Sequence, residues 1–203
     1  MNEAQIEKLI AELESYARSC LSDFRYGHSC RVAAYAEELA RQYGCTPRQQ
    51  RLCFLAGIAH DVCKEQSAVR LLHLVQRDGQ PVGDQEKDNC ELLHGRAAAV
   101  LLYNRFGVLK KSLLRAVRCH TSGSVRFDAV GKILYIADKI EPGRKNCAYL
   151  REKAAVLPLD ALFFEVLQEV IRFVEAKGRK VLPATYKVYR YYEQHRKNTE
   201  EKK

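Results

Sequence analysis

Apolar residues recur at intervals of three and four along most of this chain, a period that a helix satisfies and a strand does not. From His28 to Tyr43 the positions Val32, Tyr35, Ala36, Leu39 and Tyr43 fall on one face, and Gly44 supplies the stop. NEAQIEKLIAELESYA places Ile6, Leu9, Ile10 and Leu13 together. TPRQQRLCFLAGIAHDV opens with Thr46 as cap and Pro47 at the first helical position; its stripe is Leu52, Leu55, Ala56 and Ala59. Further helices are predicted over about 90–106, 108–120, 127–140, 146–156, 158–177 and 183–196. RDGQPVGDQEKDN carries Gly, Pro and charge and reads as the longest loop. Strand signals are few, and no repeat or divisive linker appears. The predicted fold class is all-α, a single helical-bundle domain over residues 1–203. Its core runs over about 20–177, followed by a separable helical segment at about 183–196 and a basic tail.

Composition narrows the function classes. A chain of 203 residues suits one domain, and no apolar stretch approaches a membrane span. The acidic, amphipathic N-terminus does not read as a signal peptide, so a cytoplasmic location is expected. The 8 Cys residues are scattered without a C-x-x-C pair, which argues against a zinc ribbon and for reduced thiols acting as small hydrophobes. A net charge of +9 suits an anionic ligand such as a nucleotide. The tail HRKNTEEKK reads as solvated rather than as a binding arm.

Several polar residues interrupt the apolar faces. His28 lies four before Val32 and His60 four after Ala56, with Asp61 beside it. His94 shares a face with Ala98 and Leu101, His120 follows Val117 at three, and Asp138 interrupts KILYIADKI. A lone inward histidine is ordinarily a hydrogen-bonded core residue. Four histidines and two aspartates on inward positions of separate helices would each carry a desolvation cost of several kcal/mol if unpaired. One shared cation relieves them together, and His with carboxylate suits a transition metal. His73 and His195 have no such company and read as structural.

His28, then His60-Asp61, then Asp138 resembles the H…HD…D signature of the HD-domain metal-dependent phosphohydrolases. HSCRVA, LAGIAHDVCKE, LLHG, CHTSG and IADKIEPGR resemble, in order and spacing, the YqeK-type branch of that family, over about residues 20–190. The resemblance implies an HD-type all-α fold, a homodimer and a bound iron (Fe²⁺ or Fe³⁺). It also implies symmetrical cleavage of dinucleoside tetraphosphates, diadenosine tetraphosphate giving two ADP. By the same resemblance His28, His60, Asp61 and Asp138 match the metal ligands. His28, Lys64, His94, His120, Thr121 and Arg144 match positions around the nucleotide phosphates, and Val181, Leu182, Pro183, Ala184, Thr185 and Tyr186 the segment that contacts the ADP or GDP product. Where relatives often carry His-Pro, this chain has Leu182-Pro183.

The chemistry fits these residue types. Cleaving a phosphoanhydride at neutral pH requires an activated water, charge neutralisation and positioning. Asp61 is the expected water-orienting carboxylate. Lys64, at i+4 from His60, brings an ammonium to the same helix face, and Arg144 offers a fork to phosphate oxygens. His94 and His120 are candidates to protonate the leaving nucleotide. His/Asp ligands also accept Mn²⁺, Co²⁺, Ni²⁺ or Zn²⁺. The alternatives are an HD phosphohydrolase for another nucleotide (mono-, tri- or cyclic) and a non-catalytic nucleotide- or nucleic-acid-binding module. Lys and Arg are dispersed with no aromatic stacking string, which counts against nucleic acid.

Overall fold

The computed structural model describes the backbone of residues 1–200 and the side chains of residues 1–195. Most of the HRKNTEEKK tail therefore lies outside the described side chains. Among the described residues the chain is all-α. The helices are α1 (Glu3–Cys20), α2 (Asp23–Gln42), α3 (Pro47–Ala59), α4 (Ala68–Val75), α5 (Asp84–Asp88), α6 (His94–Phe106), α7 (Lys111–Arg118), α8 (Ala129–Ile140), α9 (Ala148–Ala154), α10 (Leu159–Ala176) and α11 (Pro183–Glu200). Short 3-10 turns cover Gln76–Asp78 and Cys90–Leu93. No described helix is long and apolar enough to cross a membrane.

Local chemistry fixes the helix ends. Thr46 caps α3 in a capping box with Gln49, and Pro47 opens the helix as the sequence predicts. Helix α2 begins five residues earlier than its apolar stripe suggests, because the Ser22 hydroxyl accepts from the Arg25 N–H and starts the helix there. That extension matters, since it brings Arg25 into helical register with His28. The loop RDGQPVGDQEKDN is not wholly irregular. Helix α5 forms inside it, with the Glu86 carboxylate accepting from the Gly83 N–H at 2.8 Å.

Helix α8 is the axis of the fold. It packs on α2, α3, α7 and α10, and Ile133, Leu134, Tyr135, Ile136 and Ala137 are all fully buried. A helix apolar nearly all round belongs in a core. Its one buried acid, Asp138, is therefore carried to the centre of the molecule.

Two glycines set how closely the other elements reach that centre. At Gly57 on α3, an added Cβ would lie 2.4 Å from the Ala33 Cα of α2. The two backbones meet there, one turn from both His60 and His28. At Gly95 on α6, a Cβ would lie 2.9 Å from the Arg118 carbonyl oxygen and 3.2 Å from the His120 ring. That approach seats His94 against His120. Helix α11 closes the far side, with Tyr192 packing on Phe163 at 5.1 Å between ring centroids. All 8 cysteines are free; Cys53 and Cys63 are buried and the other six half-buried.

Candidate metal centre and active site

Five helix ends converge on one buried cluster. His28 comes from α2, His60 and Asp61 from the end of α3, His94 from the start of α6, His120 from just past α7, and Asp138 from α8. None of these is more than 5% exposed. Nε2 of His28 lies 3.2 Å from Oδ1 of Asp138 and 4.0 Å from Oδ2 of Asp61. Nε2 of His60 lies 3.6 Å from each of those same two oxygens. Two donor atoms about 2.1 Å from a shared ion stand about 3.0–3.4 Å apart, so this quartet is nearly at ligating distances. Two sets, His28 with His60 and Asp138, and His60 with Asp61 and His120, can each hold a metal ion.

The histidines are oriented from behind. His60 Nδ1 donates to the Gly57 carbonyl at 2.7 Å, and His120 Nδ1 to the Val117 carbonyl at 2.8 Å. His94 Nδ1 donates to the Glu91 carbonyl at 2.5 Å, and His28 Nδ1 to Oε1 of Glu141 at 3.2 Å. Each bond fixes the ring and turns its Nε2 inward. His60 Nε2 is buried and has no hydrogen-bond partner. A buried nitrogen left this way costs about 1–3 kcal/mol unless something occupies it. Its lone pair, aimed between two carboxylates, fits a cation.

The electrostatics agree. Burial opposes charge on Asp61, but His60, His120 and His94 outweigh it and hold the carboxyl well below the ordinary range. Asp138 is buried too, and Lys139, His28 and His60 hold it well down. Burial resists a proton on His60, yet the two carboxylates overcome it and raise the ring's pKa. The same field that attracts a proton attracts a metal ion. His120 goes the other way. Its burial dominates over the Asp61 hydrogen bond, with His94 and His60 adding to it, and its pKa is pushed down to about 4.

Cationic side chains line the mouth. Arg144 reaches Oδ1 of Asp138 at 3.2 Å, and Lys64 pairs with Glu91 at 3.7 Å. Lys139 pairs with Oδ2 of Asp138 and donates to the His120 carbonyl. Arg25 Nη1 donates to Oδ2 of Asp61 at 2.8 Å.

Beside the cluster opens a cleft of about 660 Å³. Glu91 and Thr121 are among its lining residues; Leu92, Val170, Val174 and Leu182 supply apolar wall, and Arg179 and Lys180 add basic charge. Of the C-terminal segment singled out by sequence, Val181, Leu182 and Thr185 face this cleft. Leu182, Pro183 and Ala184 line an adjoining one with Thr121. Tyr186 turns elsewhere: its hydroxyl donates to Glu175 at 2.6 Å, and it borders a separate groove with Lys187 and Arg190. His73 and His195 are exposed and outside the cluster.

Sequence reasoning missed Glu141, Arg25, Arg31 and Lys139. Glu141 is 1% exposed and orients His28, while Arg31 Nε and the Gly143 N–H hold its other oxygen at 2.9 and 2.5 Å. Burial would raise the Glu141 carboxyl, but Arg31, the Gly143 N–H and His28 lower it. The available signal was its position three after Asp138, on the next turn of the same helix face.

Comparison with known proteins agrees with this geometry. Residues 25–143 match the HD domain family. The chain is 30% identical over 192 residues to the symmetrical bis(5'-nucleosyl)-tetraphosphatase of Staphylococcus aureus, covering 90% of this chain and 94% of that protein. It is 28% identical over 172 residues to the Bacillus subtilis protein of the same name, covering 84% and 90% respectively. A crystal structure of an HD superfamily hydrolase from Clostridium acetobutylicum, described as involved in NAD metabolism, superposes with a TM-score of 0.82 at 30% identity. That match covers 91% of this chain and 97% of the other. The chain thus belongs to the HD domain family of metal-dependent hydrolases, in the branch that holds the symmetrical bis(5'-nucleosyl)-tetraphosphatases.

Proposed function

We propose that this protein hydrolyses dinucleoside tetraphosphates symmetrically, diadenosine tetraphosphate giving two ADP, at a metal ion held by His28, His60, Asp61 and Asp138. The observation that carries the reading is the buried, unpartnered Nε2 of His60 between two ionised carboxylates. The names of the relatives supply the substrate class.

A bound cation supplies a Lewis acid that acidifies water and neutralises phosphoryl charge. The residues do the rest. Asp61 is placed to orient the attacking water and accept its proton, since its Oδ2 faces His28 and His60, which would hold the cation, and its Oδ1 faces His94 and His120. His94 Nε2 lies 3.0 Å from His120 Nε2 and 3.1 Å from Oδ1 of Asp61. With both Nδ1 atoms already donating, that contact needs one further proton. We assign His94, whose Nε2 reaches both His120 and Asp61, the role of acid toward the departing ADP. Lys64, Arg144 and Thr121 bind phosphate oxygens, Lys64 by leaving its exposed partner Glu91. One nucleoside lies in the cleft against Val181, Leu182 and Thr185, whose volume and apolar wall suit a base and ribose.

The resident ion is assigned as iron on the resemblance, which also supports a homodimer; the cytoplasmic location rests on the acidic, amphipathic N-terminus. Chromatography of the products tests the function. The metal-loaded protein should convert diadenosine tetraphosphate to ADP alone; ATP with AMP, or no cleavage, overturns the assignment.

A further inference from the structure

From residue 92 to residue 127 the chain has no acidic residue, while seven positions are Lys or Arg. This stretch contains all of α6 and α7, so neither helix neutralises its own charge. On α7, Lys111, Arg115 and Arg118 follow one another at four and three and share one face. Like charges at that spacing oppose the helix unless an anion lies against them.

That face borders a groove of about 390 Å³ that none of the metal-centre residues lines. Arg77, from the turn after α4, adds a fourth cation. The one carboxylate in the groove, Asp78, is already spent. Arg96 Nε and Nη2 hold its oxygens at 2.9 Å each, the Gln80 N–H donates to it at 2.9 Å, and its side chain is 4% exposed. Arg118 leans Nη2 on the same carboxylate at 3.0 Å and makes no other bond among the described residues. Arg115 gives one donor to the Arg126 carbonyl at 3.0 Å. Arg77 and Lys111 have no hydrogen-bond or ion-pair partner among the described residues. The α6 wall supplies Tyr103, 54% exposed, and an apolar floor of Ala99 and Val100 that Leu114 completes.

We propose that this groove is a second ligand site, binding a mononucleotide with its phosphates on Arg77, Lys111, Arg115 and Arg118 and its base on the Tyr103 ring. Guanidinium donors fork phosphate oxygens, and Arg118, braced by Asp78, holds Nε and Nη1 free for that purpose. One exposed ring stacks one base, whereas a nucleic-acid strand would need a row of them. The volume lies within the roughly 300–1,000 Å³ of small-ligand sites. No metal-ligating side chain reaches the groove, so a nucleotide there is held and not cut.

The test uses full-length, metal-loaded protein at about 0.15 M salt, where surface charges more than about 8 Å apart are screened. ADP is titrated by calorimetry, which counts sites per chain, into wild type, a doubly substituted Arg77→Glu, Lys111→Glu protein, and Tyr103→Ala. Neither Arg77 nor Lys111 makes a bond that its substitution would break, so turnover of diadenosine tetraphosphate in the double variant should stay within about twofold of wild type. That variant should bind one ADP fewer per chain than wild type. Tyr103→Ala should weaken the same site about 10-fold toward ADP and leave its affinity for pyrophosphate unchanged. Equal numbers of ADP sites, with equal affinities, in wild type and the double variant overturn the proposal. So does a Tyr103→Ala protein that holds ADP in the groove as tightly as wild type, which would reduce the ligand to a bare phosphate. A wild type that makes no ADP from diadenosine tetraphosphate overturns the function proposed above, and the count of sites still decides this one.

Discussion

The Asp61 cluster and the cleft beside it are neighbours built in opposite ways. In the cluster, every imidazole is tied at Nδ1 to a carbonyl or carboxylate, and every carboxylate is flanked by a cation. The cluster sits where α2, α3 and α8 touch, and Gly57 lets two of them meet backbone to backbone. The cleft is made by the chain around residues 84–92 and 179–185, with exposed polar side chains such as Glu91 at 74%. One buried network, Arg96 with Asp78 and Glu86, holds the first of these segments to α6. Chemistry at phosphorus needs atoms fixed to a fraction of an ångström in a dry site, whereas gripping a nucleoside tolerates adjustable walls. Substitutions of His28, His60, Asp61 or Asp138 should therefore remove metal and turnover together, and those in the cleft should change KM alone.

The largest break in that contrast is Asp61→Asn. It removes the charge shared by His60, His94, His120 and Arg25, and turnover and stoichiometric metal should both vanish in elemental analysis and a product assay. Metal retained at wild-type stoichiometry would show that Asp61 is not a ligand. Glu141→Gln is next. It keeps an acceptor for His28 but drops the charge behind it, so metal affinity measured against a chelator should fall about 10–100-fold. On the cleft side, Leu182→Ala removes roughly 1–2 kcal/mol of apolar contact and should raise KM about 5–30-fold with metal content unchanged. An equal loss of metal there would erase the distinction between the two regions.

The smallest effect concerns pH. Burial would raise the Asp78 carboxyl, but Arg96, the Gln80 N–H and Arg118 hold it below its ordinary value. A group with a depressed folded pKa stabilises above its unfolded pKa and ceases to as pH falls through the folded one. Amide protection factors around residues 79–93, corrected for the intrinsic pH dependence of exchange, should thus fall on acidification toward that lower pKa, and Asp78→Asn should show the reduced protection already at neutral pH. Unchanged exchange in Asp78→Asn would mean that other contacts hold the segment.

How much of this was legible in the sequence divides along the same line. His28, His60 and Asp138 announced themselves because helical period forced polar atoms onto apolar faces, and Asp61 came with His60. The all-α fold followed from the same period. Glu141 escaped because it follows the last residue of α8, where an acid ordinarily means solvent, and its importance depends on His28, 113 positions away. Arg25 escaped because the helix start at Ser22 is set by a hydroxyl cap, outside the apolar stripe that revealed the rest of α2. Periodicity says which side of a helix is inward; it does not say which distant partner waits there.

The central claim is that the His60 nitrogen holds a metal on which turnover depends. It is tested most directly by stripping the protein of metal and following diadenosine tetraphosphate hydrolysis as metal is added back to wild type and to His60→Ala. Stripped wild type should be inactive and regain ADP production in proportion to metal bound, while His60→Ala stays inactive at every metal concentration. Full hydrolysis by the stripped protein, or restoration of His60→Ala to the wild-type rate, would contradict the claim.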